Sequence, residues 1–135
     1  EKMKEFILNG YEIKKQFNNL LETIKFTQTY LGDLAFKRTK EGKITLVIFD
    51  VFSFFLSDED TRLKLESIDK PSEKIQDRYK RLMLNPEFIE ITESHTSDLL
   101  PTKKRFEMVG NLLNELFESE GIDYRITDFG VQTYD

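Results

Sequence analysis

Apolar residues recur every three or four positions in three stretches of the chain, the spacing that one face of an amphipathic helix requires. These stretches predict helices at about residues 11–30, from Pro71 to Asn85, and from near Ser97 or Thr102 to Gly121. Glycine suits the end of a helix, and a residue that precedes proline disfavours its continuation. The predicted inner faces are Ile13, Phe17, Leu20, Leu21 and Ile24; Ile75, Tyr79, Leu82 and Met83; and Phe106, Val109, Leu112, Leu113, Leu116 and Phe117.

The segments between these helices either alternate apolar and polar residues or are apolar at nearly every position, which predicts β-strands. The predicted strands are residues 6–8, 34–39, 43–56, 61–68, 88–91 and 122–126, and Lys40-Glu41-Gly42 closes a hairpin between the second and third. Residues 6–8 could instead lead directly into the first helix. The order of elements predicts an α+β fold, with three amphipathic helices packed on a mixed, mostly antiparallel sheet of four to six strands.

Composition narrows the class of protein. The chain has 135 residues, enough for a single domain with its own core, and a net charge of −5. It has no cysteine, which excludes disulfides, thiolate metal sites and cysteine nucleophiles. No apolar run reaches the ~18–20 residues of a membrane span. We therefore expect one cytoplasmic domain, and a first residue other than methionine fits excision from a longer chain. Abundant Phe and Lys with a single Ala indicate an AT-rich bacterial or phage genome.

Aromatic residues crowd the end of the longest predicted strand, and acidic residues follow them. If helices cover only one face of the sheet, these side chains form an exposed patch of the kind that marks protein interfaces. The leading hypothesis is a small protein-binding module, such as an inhibitor, an immunity-type protein, an adaptor or an assembly subunit, with homodimerisation among its options. The predicted binding residues are Phe52, Phe54, Phe55, Asp58, Glu59 and Asp60.

Basic side chains on the second and third predicted helices support an alternative, nucleic-acid or anion binding. Three of them share one face of the second helix, and three lie near the start of the third, where the helix dipole attracts anions. The predicted contact residues are Lys74, Arg78, Arg81, Lys103, Lys104 and Arg105.

An enzyme is the weakest of the three hypotheses. Asp50 and the cluster Asp58-Glu59-Asp60 offer oxygen ligands for a divalent metal, as a metal-dependent hydrolase needs, but the loop pattern of an EF-hand is absent. His95, the single histidine, lies in a polar stretch without a defined catalytic partner. The sequence therefore predicts no catalytic residue, no metal site and no cofactor.

Overall fold

The computed structural model describes residues 9–94 and 96–130, and these residues fold into helices joined by short connections. The helices are α1 (Gly10–Leu31), α2 (Leu46–Leu56), α3 (Glu59–Glu66), α4 (Pro71–Leu84), α5 (Pro86–Glu93) and α6 (Leu99–Ser119), with one 3₁₀ turn at Gly32–Leu34. The predicted α+β fold is wrong. Within the described residues there is no sheet, and the only β-bridge joins Lys37 to Ile44.

The longest predicted strand is instead helix α2. Its buried residues follow the i, i+3, i+4, i+7 and i+8 spacing of a helix face, and they are Ile48, Val51, Phe52, Phe55 and Leu56. A segment that is apolar on nearly all sides suits a buried helix as well as a buried strand, so alternation could not separate the two. α2 packs against α1, α3 and α6, which gives it the central position that the sequence predicted for a strand.

Two further predicted strands are also helices, because each begins at a capping residue. Asp58 accepts a hydrogen bond from the backbone N–H of Thr61 and starts α3. Asn85 accepts one from the N–H of Phe88, and Pro86 occupies the first position of α5, where its missing N–H costs nothing. Capping side chains therefore override the local alternation at both places.

The three helices that the sequence predicted are confirmed as α1, α4 and α6. α6 begins at Leu99, between the two predicted starts, and Gly121 follows its end with a positive φ of 69°. The predicted hairpin is reduced to the single Lys37–Ile44 bridge. The predicted strand at residues 6–8 lies outside the described residues.

The last predicted strand has no regular secondary structure and pairs with no strand among the described residues. Residues 122–130 lie across α6 and α2, with Ile122, Tyr124 and Ile126 turned towards the core. The ring of Phe129 occupies the space above Gly110, and a Cβ there would come within 2.7 Å of it. We call residues 122–130 the C-terminal strap.

Candidate functional site

The aromatic residues of the predicted patch lie mostly in the core. Phe52 and Phe55 are 4% and 2% exposed, respectively. Phe54 is 37% exposed, and its ring packs edge-on against Phe106 with 5.4 Å between the centroids. The alternation that placed Phe52 and Phe54 on one exposed face does not apply to a helix. The structure therefore does not gather these three rings into one surface patch.

The acidic residues of the patch are exposed and occupy the start of α3. Glu59 and Asp60 lie in its first turn, where negative charge is favourable to the helix dipole. Asp58 Oδ2 accepts hydrogen bonds from the Thr61 hydroxyl at 2.8 Å and from the Tyr124 hydroxyl at 2.9 Å. Partial burial alone would raise the pKa of Asp58, but these hydrogen bonds, with Arg62 nearby, lower it below its ordinary value. Asp58 therefore caps α3 and holds the C-terminal strap.

The described residues do not assemble the metal site that the enzyme hypothesis requires. No group of three or more His, Asp or Glu side chains within residues 9–94 and 96–130 is placed to hold an ion. Asp50 lies within α2, whereas Asp58, Glu59 and Asp60 lie at the start of α3, and the Asp50 carboxylate acts electrostatically on Arg105. His95 lies outside the described residues.

The predicted basic contacts are largely neutralised by acidic neighbours. Five of the six cations form ion pairs, and the pairs are Lys74–Glu120, Arg78–Glu115 at 3.8 Å, Arg81–Asp77 at 3.0 Å, Lys103–Glu107 at 3.9 Å and Lys104–Glu87 at 3.9 Å. A surface that alternates positive and negative charge offers little net attraction to a phosphate backbone.

Arg105, the sixth cation, is buried. Its Nη2 donates to the Thr96 carbonyl at 2.9 Å, while its Nε and Nη1 make no hydrogen bond within the described residues. Burial lowers the pKa of this guanidinium, and the Asp50 carboxylate partly opposes that shift. Its small exposed area leaves it poorly placed to reach a macromolecule.

A row of uncovered apolar side chains lies on the first half of α1. Ile13, Phe17, Leu20 and Ile24 are spaced four, three and four residues apart, the spacing of a coiled-coil seam. Ile13 is 54%, Phe17 59% and Leu20 40% exposed. We call these four residues the α1 seam. The sequence correctly grouped them on one face but assigned that face to the core.

The same row of residues becomes buried further along α1. Thr27 and Leu31 extend the spacing of the seam, and they are 1% and 4% exposed. Residues 10–18 are exposed on every side of the helix, so the first half of α1 projects from the domain. One continuous face therefore packs on its own domain at one end and is uncovered at the other.

Polar contacts fix the point at which α1 leaves the domain. Arg62 donates to the Asn19 Oδ1 at 3.1 Å, to the Thr23 hydroxyl at 3.2 Å and to the Leu56 carbonyl at 2.8 Å. The Asn19 side chain also donates to the Ser57 carbonyl at 2.9 Å. These bonds, the Arg62 clamp, tie α1 to the corner between α2 and α3.

A groove of about 330 Å³ adjoins the seam at Ile24. Its apolar lining is Ile24, Phe36, Ile44 and Phe49, and its polar lining is Gln28, Asp33 and Lys37. Ile44 is 62% exposed. The seam and the apolar side of this groove meet at Ile24, and sequence reasoning missed this surface. The available signal was a second apolar row on α1, containing Phe26 and Tyr30, because a helix with two such rows has more than its own core requires.

No helix within the described residues is both long and apolar enough to cross a membrane. The chain matches no protein-family model, no curated protein and no solved structure.

Proposed function

We propose that this chain is a helical protein-interaction domain and that its docking surface is the α1 seam with the adjoining groove. The observation that carries the proposal is the exposure of Ile13, Phe17 and Leu20 on a helix whose later turns are buried. Fully burying a side chain of this size contributes roughly 1.5–3 kcal/mol. The isolated domain leaves this row of side chains uncovered, so a partner that buries the row gains free energy of binding.

The form of the surface favours a helix as the occupant. Side chains spaced four, three and four residues apart present one row of knobs to a helix that lies nearly parallel to α1. The projecting turns of α1 are exposed on both flanks, so an approaching helix meets no other part of the domain there among residues 9–94 and 96–130. The projecting turns of α1 are too few to form a stable helix in water on their own. Docking of a second helix along them would stabilise them.

The other hypotheses have less support. Ion pairs occupy five of the six basic residues that nucleic-acid binding would use, and Arg105 is buried. The acidic turn at Asp58 already caps α3. The protein-binding hypothesis is therefore retained, but the surface moves from the α2–α3 corner to α1.

Site-specific photo-crosslinking in the source cell tests the proposal. The chain is expressed with p-benzoylphenylalanine in place of Phe17, and the matched control carries it in place of Tyr11. Both are exposed aromatic residues of α1, and they point about 120° apart around the helix axis. We expect defined protein adducts from position 17 and none from position 11. Equal adducts from both positions, or none from position 17, would overturn the proposal.

A further inference from the structure

We infer that the helix that docks on the α1 seam is α1 of a second copy of this chain, antiparallel to the first and related to it by a twofold axis. The inference rests on the proposed function and names its partner. It follows from the symmetry of the seam, from the position of the groove and from the charges that flank both.

The spacing of the seam is the same in both directions. Steps of four, three and four residues present an identical row to an antiparallel copy centred between Asn18 and Asn19. In that register Ile13 faces Ile24 of the second copy, and Phe17 faces Leu20 of the second copy. All four apolar side chains find apolar partners, and the interface is isologous, as a twofold dimer requires.

The groove distinguishes the antiparallel from the parallel arrangement. It lies beside Ile24, at the end of the seam nearest the domain. Antiparallel pairing brings Ile13 of the second copy to this point, where it can also cover Ile44. Parallel pairing instead brings Ile24 of the second copy to this point and places the two domain bodies at the same end of the paired helices.

The flanks of the seam carry little charge. Its nearest neighbours around the helix are Lys14, Gln16 and Leu21. In the antiparallel register Lys14 falls beside Leu21 of the second copy, so the ammonium remains in water while its stem covers an apolar side chain. Along the seam, no like charges oppose each other and no charge is buried.

The exposed area limits the size of the dimer interface. The exposed parts of the seam, of Leu21 and of Ile44 amount to roughly 500 Å² per copy, which gives about 1,000 Å² in total, the lower limit for a specific interface. Interfaces of this size are typical of weak, reversible complexes, so we expect a dimer with a Kd in the micromolar range. With such a Kd, the fraction of the protein that is dimeric rises with the protein concentration.

Analytical ultracentrifugation of the purified full chain at about 1–500 µM tests the inference across that range. We expect a monomer–dimer equilibrium in the wild type, a Kd raised at least ~100-fold by Phe17→Glu, because the substitution enters the interface twice, and no change with Tyr11→Glu. Phe17 is exposed in the monomer, so an unchanged circular-dichroism spectrum separates lost association from lost folding. A monomeric wild type, or a dimer unaffected by Phe17→Glu, would overturn the inference.

The arrangement is tested separately by a spin label at Tyr11→Cys, which is unique because the chain has no other cysteine. Antiparallel pairing offsets the two labels by about 22 Å along the helix axis, whereas parallel pairing gives no offset. A short label distance overturns the antiparallel geometry. If the protein is monomeric and position 17 still gives adducts to a different protein, this inference alone is overturned. If the protein is monomeric and position 17 gives no adduct of any kind, the proposed function is overturned as well.

Discussion

The side chain of Asn114 on α6 replaces a missing strand for Ile126. Its Nδ2 donates to the Ile126 carbonyl at 2.9 Å, and its Oδ1 accepts from the Ile126 N–H at 2.7 Å. Both residues are buried. A single amide thus satisfies the two backbone groups that a neighbouring strand would otherwise pair, which lets an extended segment lie on helices without a sheet.

Removing this amide should loosen the C-terminal strap. Asn114→Ala leaves a buried N–H and a buried carbonyl without partners, so we expect the free energy of unfolding to fall by about 2–4 kcal/mol. Urea denaturation followed by circular dichroism measures the change. Asn111→Ala, an exposed substitution on the same helix, is the matched control and should change it by less than about 0.5 kcal/mol. Equal effects of the two substitutions would contradict the role given to Asn114.

The effect of Gly110→Ala on the free energy of unfolding should change sign when the Phe129 ring is removed. Alanine is the better helix former by about 1 kcal/mol, but a Cβ at position 110 meets the Phe129 ring at 2.7 Å. We expect Gly110→Ala to destabilise the wild type by about 1–3 kcal/mol and to stabilise a Phe129→Ala background. Thermal or urea unfolding of the four proteins in this double-mutant cycle measures the coupling. If the effects of Gly110→Ala and Phe129→Ala on stability are additive, the packing of the Phe129 ring does not depend on a glycine at position 110.

The Asp58 cap predicts a pH dependence. Its pKa is lowered in the folded state, so its contribution to stability is full above the unfolded pKa of about 3.9 and is lost as the pH falls through the folded value. Asp58→Asn keeps the capping oxygen but does not titrate. We expect the stability difference between the wild type and Asp58→Asn to be constant above about pH 5 and to shrink below pH 4.

Tyr124→Phe provides the check on this explanation. It removes one hydrogen bond to the Asp58 carboxylate, so the pKa of Asp58, followed by NMR titration, should rise towards its ordinary value. An unchanged pKa would mean that the tyrosine hydroxyl does not stabilise the carboxylate.

Arg105 should be dispensable for stability. Its buried guanidinium makes one hydrogen bond within the described residues, and the acceptor, the Thr96 carbonyl, also receives the Thr102 hydroxyl at 3.3 Å. Replacing a poorly paired buried charge by an apolar group of similar length is often neutral or stabilising. We expect Arg105→Met to leave the free energy of unfolding unchanged or to raise it by about 1–2 kcal/mol. A fall of more than about 1 kcal/mol in the free energy of unfolding would contradict this account. The control is Lys104→Met, a substitution of an exposed residue next to Arg105.

Sequence patterns predicted the helices in this chain where periodicity and end signals agreed. Pro71 and Asn85-Pro86 delimit α4, and Gly121 follows α6. The same patterns failed where the segment was short or uniformly apolar. α2 is apolar around most of its circumference, so its residues satisfy a strand template as well as a helical one.

The candidate site was only half predictable for a related reason. Periodicity places Ile13, Phe17, Leu20 and Ile24 on one face of a helix, but it cannot say what covers that face. Hydrophobicity alone favours the core of the same chain. Here the length of α1 carries its first half beyond the reach of the other helices, and this is a property of the assembled fold. The alternation at Ile122, Tyr124 and Ile126 predicted a strand, and this was wrong, although the structure turns these three side chains towards the core.

The Arg62 clamp anchors the projecting half of α1 at its base. Because the bonds to Asn19 and Thr23 fix this base to the α2–α3 corner, the direction of the seam is set relative to the rest of the domain. A helix that docks along the seam therefore takes a defined direction relative to the domain. The domain would therefore orient its occupant as well as retain it, and in a twofold pair it would hold the two bodies at a set separation, as a spacer does.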